Sequence, residues 1–249
     1  MSLLSNLSVS DDIEVGTDTL GGGSDGPLES GIYPATVKAV YFKHSAGGAL
    51  AANVHLDING REIRQQLWIQ SGDAKGNRNF YETKDGKKRY LPGFELFRSL
   101  TLMATNKEPN ALDLTDGIMK LWDSAEGKEM PSEVPMAREL TGAELQVGMF
   151  KQTVDKTMKA DDGSYVPTGE TRDENEIDKF FDQASGRTLV EAMAGLEAKH
   201  INDWTAKWEG VTRDKTVKVQ ATPTAAAPAG FGAPANAPVA APVKTLFGS

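Results

Sequence analysis

The chain contains no cysteine. Disulfides, thiol nucleophiles and cysteine-ligated zinc are therefore excluded, and the absence fits an intracellular protein. Histidine is scarce. His44, His55 and His200 lie far apart and share no metal-binding spacing. No apolar run reaches the ~18 residues that would span a bilayer. The N-terminus, MSLLSNLSVSDDIEVG, lacks a basic stretch followed by a long apolar one, so no signal peptide is expected. G-x-S-x-G, H-E-x-x-H, Walker A and EF-hand patterns are all missing. The expectation is a soluble, cytoplasmic, non-enzymatic protein with no cofactor, no metal and no membrane partner.

Two acidic stretches hold carboxylates of the kind that bind metals, and both have a plainer reading. Asp161-Asp162-Gly163 lies between strand patterns and reads as a turn. Asp173, Glu174, Glu176 and Asp178 form one acidic run with no second cluster to complete a nuclease site, so a solvated face is expected.

The net charge is −8, which argues against bulk attraction to nucleic acid. The local balance differs. Arg61–Tyr90 has eight Lys/Arg against four Asp/Glu, and within it Lys75–Tyr90, KGNRNFYETKDGKKRY, packs six cations and three aromatics into sixteen positions. Cations can hold phosphates, while flat rings offer stacking surfaces for unpaired bases.

The flanks give this segment a place. Residues 1–29 are rich in Ser, Gly and Asp and read as a flexible arm. From Ser30 the pattern becomes β. In GIYPATVKAVYF the alternation puts Tyr33, Ala35, Val37, Ala39 and Tyr41 on one face. Ala52, Val54, Leu56 and Ile58 make the core face of a second strand, and Asn59-Gly60 is a strong hairpin signal because a type I′ turn needs positive φ twice. The third strand puts Ile63, Leu67 and Ile69 on the core face, with Arg64, Gln66, Trp68 and Gln70 opposite. That Trp could be covered by a helix or loop, or serve as a stacking platform on the outer sheet face.

Beyond the basic loop, Leu96, Phe97, Leu100, Met103 and Ala104 follow helical spacing up to Pro109. Short strands are expected at Ile118–Trp122 and Glu133–Met136. A long hairpin follows, in which Phe150, Gln152 and Val154 alternate with polar residues and Pro167 marks an edge. A helix is expected across Thr188–Lys207, with Leu189, Met193, Leu196, His200 and Trp204 on one stripe. The main domain spans residues 30–210, and an Ala/Pro/Gly-rich tail spans 211–249. The tail's composition cannot offset its ordering entropy, so disorder is expected.

The fold class expected is β-rich with minor α, a five-stranded oligonucleotide-binding (OB-like) barrel with added helices. SGIYPATVKAV, the Trp-bearing third strand, LPGFELFRSL, EVPMARELTG and the hairpin ending RDENEIDKFF resemble the single-stranded DNA-binding proteins of tailed phages, over roughly residues 30–210. The resemblance implies a protein of the host-cell cytoplasm that coats and protects unwound DNA during phage replication and recombination. Many such proteins recruit replication or recombination partners through an acidic tail closing on an aromatic residue. Here the tail from Ala221 has no acid and only Lys244 as a charge, although Phe247 stands near its end.

For sequence-tolerant single-stranded DNA binding, Arg64, Lys75, Arg78, Lys84, Lys87, Lys88 and Arg89 are the expected phosphate contacts. Trp68, Phe80, Tyr81 and Tyr90 are the expected stacking groups, with Tyr90 alternatively anchoring the following helix. The rival expectation is a phage structural or accessory protein that acts through its C-terminal tail.

Overall fold

Three strands follow the Asn59-Gly60 signal. In the computed structural model, which describes residues 26–123, 125–160 and 164–217, β1 (Gly31–His44), β2 (Leu50–Ile58) and β3 (Arg61–Gln70) form an antiparallel meander. Asn59 and Gly60 have φ of 54° and 79°, as a type I′ turn requires. Ala52, Val54, Leu56 and Ile58 are all fully buried. Leu67 and Ile69 join them from β3.

The face expected for β1 is only half right. Val37 pairs with Leu56 and Ala39 with His55, so Lys38 is an extra residue in a β-bulge. The bulge reverses the alternation. Ala35 and Val37 point to the core in the first half, and Val40 and Phe42 do so in the second. Ala39 and Tyr41 therefore belong to the outer face, not to the face of Val37.

After β3 come a short two-stranded ribbon, β4 (Phe80–Glu82) and β5 (Lys88–Tyr90), and the helix α1 (Pro92–Thr105). Pro92 pre-sets the first turn and left-handed Asn106 ends the helix. Helix α1 buries Phe97 and Leu100, and the Phe97 ring meets that of Phe42 edge-on at 5.6 Å. Burying each of these two side chains contributes about 1.5–3 kcal/mol. A hairpin of β6 (Thr115–Asp123) and β7 (Lys128–Met136) follows, longer than the two short strands expected. The longest hairpin is β8 (Glu144–Lys159) with β9 (Tyr165–Asp182). Asp161-Asp162-Gly163 lies outside the described residues, as do residues 1–25 and 218–249.

The helix expected across Thr188–Lys207 is two helices. α2 (Leu189–Met193) starts at a capping box between Thr188 and Glu191, and α3 (His200–Trp208) follows a break at Gly195, whose φ is 65°. Of the expected stripe only Trp204 is buried, and Met193 and Leu196 are exposed. Trp204 stacks on Phe150 and donates its indole N–H to Asp178 at 2.7 Å, forming a second small core with Phe181. The strand β10 (Thr212–Asp214) then runs parallel to β8.

The strands join in one eight-stranded sheet with the path β10-β8-β1-β2-β3. β9 lies beside β8, and the β6–β7 hairpin attaches to β1 where Tyr41 meets Met136. The fold is β-rich and the sheet is open. Among the described residues no backbone ladder joins β3 to β9. A side chain spans the gap instead. The Gln65 amide accepts a hydrogen bond from the Ile177 N–H and donates one to the Ile177 carbonyl at 3.4 Å. Among the described residues no helix is long and apolar enough to cross a membrane.

Candidate nucleic-acid interface

The basic segment is built, not loose. Ser71 N–H donates to the Arg78 carbonyl at 2.8 Å, and Arg78 N–H returns a bond to Ser71 Oγ at 2.9 Å. Two consecutive left-handed residues, Gly76 and Asn77, turn the chain inside that loop. A second closure follows, where Thr83 N–H donates to the Lys87 carbonyl at 2.8 Å across the Asp85-Gly86 turn. Leu91 N–H donates to the Asn79 carbonyl at 2.8 Å and hands the ribbon to α1.

This platform is clamped to the sheet at two close approaches. A Cβ on Gly72 would lie 2.2 Å from the Gly47 carbonyl oxygen, so the β1–β2 turn and the loop touch backbone to backbone. Asp73 N–H donates to that same carbonyl at 3.0 Å. At the other end, a Cβ on Gly93 would lie 2.4 Å from the Trp68 carbonyl oxygen, which seats the start of α1 on β3.

The consequence is convergence. Trp68, Lys75, Arg78, Phe80 and Tyr81 line one open cavity of about 520 Å³. Trp68 is 43% exposed and Tyr81 45%, so neither ring is covered by helix or loop. Lys88 Nζ lies 5.0 Å and the Arg78 guanidinium 5.8 Å from the centre of the Phe80 ring. Among the described residues Lys75, Arg78, Lys84, Lys88 and Arg89 make no ion pair, whereas Lys87 lies 3.4 Å from Asp85. Unpaired cations beside exposed rings are what a flexible polyanion with unstacked bases can engage.

Six expected residues do not line this cavity: Lys84, Lys87, Lys88 and Arg89 belong to the β4–β5 ribbon and its turn, and Tyr90 and Arg64 have other partners. Tyr90 packs on Phe94, with ring centres 4.9 Å apart, and lines a different cleft with Arg98 and His200. Arg64 is four residues from Trp68 along β3, about 13 Å at strand rise. Its Nε donates to Glu62 at 2.8 Å, and Glu129 of β7 lies 3.8 Å from it. The hydrogen bond from Arg64 holds the Glu62 carboxyl below its ordinary pKa. Glu62 also meets His55 Nδ1 at 2.8 Å, but burial dominates there and lowers the imidazole pKa. Tyr41 packs edge-on against His55 at 5.5 Å, and burial raises its phenol pKa.

Three residues that the sequence reading passed over belong to this surface. The register sets Lys43, Ala51 and Trp68 in one row across β1, β2 and β3, so Lys43 is an exposed cation two strands from Trp68. Trp122 and Lys120 of β6 line a smaller groove with Tyr41, His55 and Arg64. Nothing in the local sequence could have found them, because their position depends on where the β6–β7 hairpin folds back.

A larger cavity, about 930 Å³, is lined by Phe42, Phe94, Phe97, Leu112 and Leu121 among others and holds none of the eleven expected residues. Among the described residues no group of three His, Asp or Glu is arranged to hold a metal ion. No family model matches this chain, and no curated protein is significantly similar to it.

Proposed function

We propose that this chain is a non-enzymatic, sequence-tolerant single-stranded DNA-binding protein. The observation that carries the reading is the shared cavity of Trp68, Lys75, Arg78, Phe80 and Tyr81, in which exposed rings stand beside cations without carboxylate partners. A strand laid over β3 would stack bases on Trp68 and Tyr81 and place phosphates near Lys75, Arg78, Lys84, Lys88 and Arg89. Stacking tolerates any base because every base has a π-face, and each engaged ring contributes about 1–3 kcal/mol.

The architecture supports the same reading. The order β3-β2-β1-β8-β9, with Gln65 bridging from β3 to Ile177 and α1 packed on the core, is compatible with a split oligonucleotide-binding barrel. In such barrels the outer face of the second and third strands carries the ligand, and here that face is where Trp68 stands. The biological role that follows is coating and protecting unwound DNA during phage replication and recombination.

A titration with oligo(dT) at two salt concentrations tests it. Binding should weaken steeply with salt, with a slope of roughly 0.7 per phosphate contact. A failure to prefer single strands over duplex at low salt would overturn the proposal.

A further inference from the structure

The β6–β7 hairpin has two unlike edges. β7 carries Pro131 and Pro135, residues that block strand pairing, and pairs with β1 only at Met136. β6 carries no proline, and among the described residues it pairs with no strand except β7. Its exposed face is also the wrong composition for a free edge. Ile118 is 75% exposed, Trp122 66%, and Leu114, one residue before the strand, 51%. Natural edges are usually protected by charge, proline or brevity, and this one runs nine residues with large apolar groups outward.

The order along that face is Asp116, Ile118, Lys120, Trp122, all of one parity and so on one side of the strand. It is self-complementary about Ile118. Set antiparallel to a copy of itself around Ile118, Ile118 meets Ile118 of the second copy. Asp116 then faces Lys120 twice. Moving the two-fold by one residue to Met119, a two-residue change of register, would put Asp116 against Trp122 and Lys120 against Ile118 and lose both charge pairs. Among the described residues Asp116 and Lys120 have no ion-pair partner within their own chain.

We propose that β6 is a self-association edge, and that a second copy of this chain pairs with it antiparallel about a two-fold axis at Ile118. Such a contact is isologous and closes on itself, so it gives a dimer and not a fibre. One strand pair is small for an interface, which makes the dimer weak and concentration-dependent.

Sedimentation of the full chain without DNA tests this. The wild type should move from the 26.8 kDa monomer toward twice that mass as concentration rises. Lys120→Asp converts both opposite-charge pairs into like-charge pairs and should weaken dimerisation roughly tenfold. The double variant Asp116→Lys with Lys120→Asp restores both pairs in reverse and should restore the dimer, which damage to the fold could not do. A wild type that stays monomeric at every concentration overturns the proposal. So does a dimer indifferent to Lys120→Asp, or one that the reversal fails to rescue. Binding of oligo(dT) is read separately with Ile118→Ser, a change at the two-fold in a residue that lines neither the Trp68 cavity nor the Arg64 groove.

Discussion

Gln65 of β3 and Ile177 of β9 are joined by the two hydrogen bonds of one side-chain amide, which serves as the rung that the backbone ladder lacks. That bridge holds β3, and with it Trp68, against the far side of the sheet. Gln65→Leu keeps much of the volume and leaves the Ile177 N–H and carbonyl without their partner. The expected cost is about 1–3 kcal/mol, read from the urea midpoint. An unchanged midpoint would mean that β3 is held by core packing alone.

Gly93 controls the seat of α1 on β3. Any Cβ there runs into Trp68 backbone, which cannot rotate away as a side chain could. Gly93→Ala should therefore lower stability and also move the Trp emission of the folded protein, because the displaced backbone is that of Trp68. The corresponding change at Gly60, where a Cβ meets open space but φ is 79°, should cost stability and leave the emission alone.

Acid should weaken the outer face around His55. Burial lowers the His55 pKa, so the unfolded chain takes up that proton first. Its contribution is fully present above the ordinary imidazole value of 6.5 and is lost as pH falls from there toward the folded pKa. Glu62, lowered by Arg64, acts with the same sign at lower pH, its contribution falling away as its folded pKa is approached. In an NMR titration the His55 ring should change below pH 6.5. A midpoint at or above that value would contradict the buried, neutral imidazole.

The cations should not be equivalent. Lys75→Ala removes a charge with no carboxylate partner and should reduce the salt slope of oligo(dT) binding by about 0.7. Arg64→Ala should change it less, because Glu62 and Glu129 already offset that guanidinium. Salt-dependent titrations of the two variants, run side by side, check this. An equal loss at both would mean that Arg64 leaves its carboxylates to meet the strand.

Much of this was readable from residues alone, and the failures have physical causes. Asn59-Gly60 fixed the first hairpin because both positions need positive φ, and the alternation through Val54 and Leu56 fixed the core face of β2. Alternation failed at Lys38 because a bulge changes parity without any distinctive residue type. Helical spacing failed at Gly195 because a left-handed glycine ends α2, although the apolar stripe reads on through it. The basic segment was visible as composition. Its seat on the sheet, where Gly72 meets Gly47 and Gly93 meets Trp68, depends on contacts between residues more than twenty positions apart. Trp122 was legible as a strand residue, while the side it faces was decided by the fold of the β6–β7 hairpin.

The most direct measurement is a fluorescence titration of wild type and Trp68→Phe with oligo(dT) at low salt. Four tryptophans contribute to the signal, and Trp204 is buried. If bases stack on Trp68, wild-type emission is quenched on binding and Trp68→Phe loses most of that quenching. Trp68→Ala then binds more weakly by about 1–3 kcal/mol. Full quenching and undiminished affinity in the two variants would contradict the account.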